Sequence, residues 1–173
     1  HAAYYLGRSM RAAGQSEEAL EPLQAALAEE ELEIRARYEL AICLTLLRRR
    51  FEAIYHFGTI LQRQTVNSLV AASLASLLER ENRLDESEIW ATKALQIDPA
   101  NETAQVTRAI LARRHEKYAE AEERLGNLIP RISQPINRSI AWNQLGQCLE
   151  GQDQWNDAFN AFSESNQTLL RHH

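Results

Sequence analysis

Small side chains recur along this chain with a period of 34 residues, and this spacing constrains the fold more than any other feature. Large apolar residues follow them at fixed offsets within each copy. A period of this length is typical of repeat architectures, in which each copy is a pair of helices that cross closely at small residues. The pattern therefore predicts stacked helical hairpins. The two series of small residues are Gly7, Ala41 and Ala75, and Ala19, Ala53 and Ser87.

The series continues into a fourth and a fifth copy. Ala109 and Ala121 are in phase with the first three copies, and Gly146 and Ala158 follow after three additional residues. Arg108 stands at the position where the other copies have leucine. Because a charged side chain replaces a packing residue there, we expect the fourth copy to be the least regular.

The last copy carries the fullest motif, which follows the pattern W-x2-L-G-x2-Y…A-x3-F with leucine in place of the tyrosine. The matching residues are Trp142, Leu145, Gly146, Leu149, Ala158 and Phe162. Through these residues the chain resembles the tetratricopeptide repeat (TPR) family over essentially its whole length. The resemblance implies an all-α fold, a right-handed superhelical solenoid of five helix-turn-helix repeats and ten helices. The A helices of the repeats are expected to line the concave face and the B helices the convex face.

We expect one repeat domain spanning residues 1–173, and we expect it to be part of a longer protein. Solenoids usually finish with a helix whose outer face is polar, whereas here Leu169 and Leu170 would be left uncovered. The predicted repeats cover approximately residues 1–33, 34–67, 68–101, 102–135 and 139–172.

Composition excludes several other classes of protein. Six glycines and four prolines are few for a β sandwich or barrel, and a formal net charge of −5 argues against a chain-wide nucleic-acid interface. No apolar run approaches the roughly 18–20 residues that cross a bilayer, and no signal peptide is visible. We therefore expect neither a nucleic-acid nor a membrane partner, and a cytoplasmic location.

Cys43 and Cys148 occupy the same repeat position three repeats apart, too far for a disulfide.

Motifs for catalysis are not apparent. His115 and Glu116 are not followed by the second histidine of a zinc protease helix, and there is no nucleophile elbow or phosphate-binding loop. We expect no enzymatic activity, no cofactor and no metal site. The basic run Arg48–Arg50 is interpreted as a solvated face or as contacts between neighbouring repeats.

The resemblance to the TPR family also implies where a ligand binds, because six positions of each A helix point into the groove. The cluster of Tyr5, Arg8 and Tyr38 would suit an extended peptide through aromatic contact and a bidentate donor. The alternative is that the tyrosines only pack against the neighbouring helix. The lysines and asparagines of the two-carboxylate clamp found in chaperone-binding members are absent. The predicted groove residues are Tyr4, Tyr5, Arg8, Arg11, Arg35, Tyr38, Ile42, Thr45, Ser73, Ser76, Thr107, Arg113, Asn143, Gln144 and Gln147.

The predicted function is a protein–protein interaction scaffold that binds a peptide or a partner domain in the concave groove. One alternative is self-association into a homo-oligomer through the uncapped ends. Another is a non-catalytic arm of a larger enzyme, because the last repeat resembles the one that precedes the catalytic domain of bacterial TPR sulfotransferases. That resemblance is carried by Leu145, Gly146, Leu149, Ala158, Phe159, Phe162, Asn166 and Leu169.

Overall fold

The computed structural model describes residues 1–63 and 67–170, and the predicted end of the last repeat at residue 172 lies outside them. Within the described residues all regular secondary structure is helical. The helices are α1 (Ala2–Ala12), α2 (Leu20–Ala26), α3 (Glu33–Leu46), α4 (Arg50–Arg63), α5 (Ser68–Arg80), α6 (Leu84–Ile97), α7 (Glu102–Arg114), α8 (Tyr118–Leu128), α9 (Pro135–Glu150) and α10 (Trp155–Leu170), with a 3₁₀ turn at Ile129–Arg131.

The helices pair into five consecutive hairpins, α1 with α2 through α9 with α10, as the repeat predicts. Small residues lie where the two helices of each hairpin cross, at what we call the hairpin seams. All ten residues at these positions are buried. Ser87 donates a 2.8 Å hydrogen bond to the carbonyl oxygen of Ala75, so its hydroxyl is satisfied inside the seam. The seam residues are Gly7, Ala19, Ala41, Ala53, Ala75, Ser87, Ala109, Ala121, Gly146 and Ala158.

The two seam glycines leave no room for a larger side chain. A Cβ atom on Gly7 would lie 2.6 Å from Cγ of Leu23, and one on Gly146 would lie 2.5 Å from Cε1 of Phe162. Both distances are shorter than van der Waals contact, so the close approach of the helices requires glycine at these two places.

The turn inside each hairpin repeats one backbone conformation. Its central residue has a positive φ, between 59° and 82°, and always occupies the same repeat position. The next N–H then bonds to a carbonyl five residues back, as in the bond from Arg49 N to Leu44 O at 2.8 Å. This is a left-handed termination of the A helix, and it confirms the repeat register in all five copies. The residues with positive φ are Gly14, Arg48, Asn82, Glu116 and Asp153.

The three additional residues before the fifth repeat form an ordered connection. Helix α9 begins at Pro135 without a side-chain cap of its own. Glu102 of α7 takes that role, because its carboxylate accepts the N–H of Ser133 at 2.6 Å and the N–H of Gln134 at 3.2 Å. Partial burial disfavours the charged carboxylate, but these hydrogen bonds outweigh it and hold the pKa of Glu102 below its ordinary value.

The stack of hairpins curves with its A helices inside. Backbones approach closely between α1 and α3, between α5 and α7 and between α7 and α9, whereas consecutive B helices in the described chain make no comparable approach. Because one side of the stack is more closely spaced than the other, the A helices form its concave face. The hydrophobic core runs between the helices and divides near the third and fourth repeats, where Ala104 belongs to one cluster and Val106 to the next.

Candidate functional site

The concave face opens between α3 and α5. Neighbouring A helices pack closely from α5 to α9, but the backbones of α3 and α5 do not approach each other in this way. We call the resulting depression the α3–α5 trough. Its floor contains Tyr38 and Phe57, whose rings meet edge to face with centroids 6.0 Å apart.

One end of the trough is a pocket of about 210 Å³ at the amino-terminal halves of α3 and α5. Its walls combine an exposed cation, Arg35, with the apolar side chains of Ile34 and Leu69, and Asn67 adds an amide. Tyr38 of α3 stands near Ser73 of α5. Burial raises the pKa of Tyr38 above its usual value, so its hydroxyl remains protonated and available for hydrogen bonding.

The other end is a pocket of about 160 Å³ at the carboxyl-terminal halves of the same helices. Ile42 and Thr45 of α3 face Ser73, Ser76 and Arg80 of α5. The hydroxyls of Thr45 and Ser73 donate to carbonyl oxygens of their own helices, at 2.8 and 2.9 Å. Their oxygen lone pairs are still able to accept a hydrogen bond from a ligand. The trough therefore offers an apolar floor with polar groups along its walls and an arginine at each end.

Seven of the predicted groove residues line the trough. Six come from the second and third repeats and are Arg35, Tyr38, Ile42, Thr45, Ser73 and Ser76. Tyr4 of α1 also borders the amino-terminal pocket, although it is only 5% exposed. Thr107 is 2% exposed, so its side chain belongs to the packed interior rather than to the open surface of the groove.

Two predicted groove arginines bind the next repeat instead of facing open solvent. Nε of Arg11 lies 2.5 Å from Oε2 of Glu39, and Nε of Arg113 donates to Oε1 of Gln144 at 2.8 Å. Both arginines occupy the same repeat position, and both partners occupy the same position of the following repeat. These side chains therefore join consecutive A helices, a role that sequence analysis did not separate from ligand contact.

The remaining predicted residues lie at the two ends of the concave face. Tyr5 is 53% exposed and packs edge-on against Tyr4, with ring centroids 5.2 Å apart. Arg8 beside it is also exposed. In the fifth repeat, Gln147 donates to Oδ1 of Asn143 at 2.8 Å. The structure thus leaves the predicted cluster of Tyr5, Arg8 and Tyr38 divided, with only Tyr38 in the trough.

Several trough residues stand outside the predicted set, among them Leu69, Arg80, Asn67 and Ile34. Leu69 and Arg80 occupy groove-facing repeat positions of α5, and Leu69 is 52% exposed, so the repeat frame contained a signal for both. Asn67 caps α5 by accepting the N–H of Leu69 at 2.8 Å. No sequence signal distinguished Asn67 or Ile34 as wall residues, because their position depends on the spacing of α3 and α5.

The basic residues of the second repeat are mostly paired. Arg63 lies 2.9 Å from Glu33, which Arg37 also contacts, and Arg50 lies 2.7 Å from Glu81 of the following repeat. The carboxylates neutralise most of this surface, and of these ion pairs the one between Arg50 and Glu81 joins neighbouring repeats. Cys43 and Cys148 are both fully buried, and burial raises the pKa of Cys148 to about 11.

No protein-family model matches the sequence, and no curated protein matches it either. Solved structures match over almost the whole chain. MamA of Desulfovibrio magneticus RS-1 superimposes with a TM-score of 0.76 at 15% identity, covering 98% of this chain and 94% of that one. A tetratricopeptide repeat protein of Parabacteroides merdae gives 0.71 at 16% identity, covering 98% of this chain and 66% of that one. The fold is a tetratricopeptide-repeat solenoid.

A third similar structure is also a repeat solenoid. YrrB, described as a TPR protein with an unusual peptide-binding site, superimposes with a TM-score of 0.68 at 14% identity, covering 98% of this chain and 86% of that one. At this level of identity the likeness shows the fold alone. In the described part of this chain, every helix falls short of the length and apolarity that a bilayer crossing requires.

Proposed function

We propose that this TPR domain is a non-catalytic scaffold that binds an extended segment of a partner protein in the α3–α5 trough. The observation that carries the proposal is the separation of α3 from α5, which leaves two pockets open on the concave face while the neighbouring A helices are closed. The YrrB structure supports it, because that solenoid is described as having a peptide-binding site.

The trough suits a peptide in both shape and chemistry. Leu69 and Ile42 offer apolar surface, while Ser76, Thr45 and Asn67 offer polar atoms that a peptide backbone could bond. The side chains are held on helices that pack on both sides, so little ordering of the protein is needed on binding. Preformed sites of this kind gain affinity because the ordering cost is low.

A random peptide library displayed on phage tests the site. Peptides selected on the unmodified domain should lose binding to Ser76→Trp, which places an indole in the trough. They should retain it for Gly126→Trp, where a Cβ atom meets nothing within 4 Å and the residue lies exposed on α8. Failure to select any binder would contradict the proposal, as would binders that are lost with Gly126→Trp and kept with Ser76→Trp.

Self-association is a second candidate function, and exposed aromatic side chains on α10 favour it. Trp155 and Phe159 are 59% and 71% exposed. In the first repeat, by contrast, the residues at the same two positions, Ser16 and Leu20, are buried. Light scattering over a dilution series should show a dimer or larger species that Phe159→Asp converts to monomer. A monomer at all concentrations would exclude this function.

The proposed link to a sulfotransferase stays a prediction, tested by the sequence that adjoins this domain in the parent protein.

A further inference from the structure

The charge of the concave face is opposite to that of the whole chain. The formal net charge is −5, yet arginines outnumber glutamates at the repeat positions of the A helices that face the groove. The arginines are Arg8, Arg11, Arg35, Arg80, Arg113 and Arg114, and the glutamates are Glu39, Glu79 and Glu150. The acidic residues that produce the net negative charge lie mainly on the B helices and the connections.

Two of the three concave glutamates are neutralised inside the protein. Glu39 is paired with Arg11 at 2.5 Å, and Glu79 lies 3.7 Å from Arg114. These glutamates are 8% and 9% exposed. Only the carboxylate of Glu150, at the far end of the stack from α1, is exposed on this face. Glu39 also lines the pocket beside Arg35, but its ion pair with Arg11 offsets its charge, so little uncompensated negative charge is presented to a ligand there.

Several concave arginines keep their charge. Arg8, Arg35 and Arg80 are exposed, and none of them has an ion pair within residues 1–63 and 67–170. Arg113 bonds to the amide of Gln144, which is neutral. A guanidinium group presents a planar fork of donors that matches a carboxylate, and a nearby apolar surface strengthens the attraction. The groove is thus equipped for an anionic ligand.

Two of these arginines mark the ends of the trough. Arg35 lines the pocket at the amino-terminal end, and Arg80 lines the pocket at the other end. Arg35 has the same repeat position as Leu69, and Arg80 follows Leu69 by 11 residues. At 1.5 Å per residue this separates the two cations by about 16 Å along the helix axis. About five residues of extended chain span that distance.

We propose that the trough recognises an acidic segment of a partner protein, in which two carboxylates about five residues apart bind Arg35 and Arg80. The apolar residues between those carboxylates pack on Leu69, Ile42 and Tyr38. The inference rests on the proposed function and specifies the chemical class of its ligand. It differs from the chaperone-tail clamp, because the lysines and asparagines of that clamp are absent here.

Three matched peptides test the proposal. The first has the sequence Glu-Leu-Ala-Phe-Ala-Glu, acetylated and amidated so that its ends are uncharged. The second and third replace both glutamates by glutamine or by lysine. Calorimetric titration against the intact domain at low salt should show the glutamate peptide binding at least about tenfold more tightly than the glutamine peptide. Raising the salt concentration should reduce that difference.

The double variant Arg35→Gln/Arg80→Gln should bind the glutamate and glutamine peptides equally. The control is Arg131→Gln, which removes an exposed arginine that has no ion pair in the described chain and lies outside the trough. This control should leave the preference for glutamate unchanged. Circular dichroism of each variant would establish that the domain remains folded.

The outcomes separate this inference from the proposed function. Equal binding of all three peptides, with loss on Ser76→Trp, would overturn the acidic ligand and leave peptide binding in the trough intact. Tighter binding of the lysine peptide, no binding of any peptide at about 1 mM, or tighter binding of an oligothymidylate than of the glutamate peptide would also overturn it. Library binders that need the trough but lack acidic residues would do the same.

Discussion

The hairpin seams and the concave face of this solenoid follow the same repeat, but the side chains at corresponding positions are uniform at the seams and variable on the concave face. At the seams, each repeat places a small, buried residue at the same two positions, from Gly7 and Ala19 to Gly146 and Ala158. On the concave face, one repeat position holds Arg35 in the second repeat, Leu69 in the third and Ile140 in the fifth. Steric contact limits the seam positions to small side chains, whereas the groove positions border solvent and accept side chains of many sizes. Fold and specificity are therefore encoded at separate positions of the repeat.

The largest expected effect is at a seam in the centre of the stack. In Ala75→Leu, three additional carbon atoms enter a position that is 0% exposed and faces Ser87. Overpacking of this kind costs roughly 3 kcal/mol of unfolding free energy. Urea denaturation followed by circular dichroism would measure the loss. The matched control is Ala119→Leu on the exposed surface of α8, which should change stability by less than about 0.5 kcal/mol. Equal effects would show that the seam is not sterically restricted.

A smaller loss is expected when a concave arginine that joins two repeats is removed. Arg11→Ala leaves the 8% exposed carboxylate of Glu39 without its partner, which should cost about 2 kcal/mol. The double variant Arg11→Met/Glu39→Met removes both charges and should recover most of that stability. Recovery measured by thermal denaturation would show that Arg11 has a structural role. An unchanged stability in Arg11→Ala would instead return Arg11 to the surface available for a ligand.

The bonds from Glu102 to the fifth repeat should contribute about 1 kcal/mol, similar to a helix cap. Glu102→Gln loses the charge that Ser133 and Gln134 bond. Because those bonds hold the pKa of Glu102 below its ordinary 4.5, the stability they provide is present above that pH. It is lost as the pH falls through the pKa of the folded state. The difference between the variant and the unmodified domain should therefore shrink below about pH 4.5, and a difference independent of pH would contradict this role.

The smallest effect on stability is expected in the trough itself. Arg35 and Arg80 are exposed and without an ion pair in the described residues, so Arg35→Gln/Arg80→Gln should change the unfolding free energy by less than about 0.5 kcal/mol. The same variant should abolish the preference for the glutamate peptide. Thermal denaturation checks the first expectation. A large loss of stability would mean that these arginines support the fold. Groove positions would then contribute to stability as the seam positions do.

Sequence analysis predicted the architecture because the seams are determined by short-range sterics. The 34-residue spacing identified the seam residues of the first four repeats, and the motif of the last repeat identified Gly146 and Ala158. The predicted all-α solenoid is confirmed by the model and by the similar structures. The departure at Arg108 was also informative. This side chain pairs with Glu88 at 3.2 Å and hydrogen-bonds Thr92, and it stands where the hydrophobic core divides.

The site was only partly predictable, because exposure in the groove depends on how closely adjacent A helices approach. Tyr4 and Tyr38 share one repeat position and both border the amino-terminal pocket, yet Tyr4 is buried and Tyr38 is partly exposed. The opening between α3 and α5 is lined by residues of several helices, including Phe57 of the B helix α4. The repeat position of a residue does not reveal how far apart two neighbouring A helices lie. Arg80 was assigned to the groove by its repeat position, but its importance became visible only with the trough.

Protection of an introduced thiol would show whether the ligand binds in the trough on the concave face. Both native cysteines are 0% exposed, so a single introduced cysteine provides the reactive thiol. In Ser76→Cys, the glutamate peptide should slow labelling by a maleimide in proportion to the occupied fraction. In Gly126→Cys, on exposed α8, the same peptide should have no effect. Equal rates at Ser76→Cys with and without saturating peptide, or protection of Gly126→Cys alone, would contradict the account.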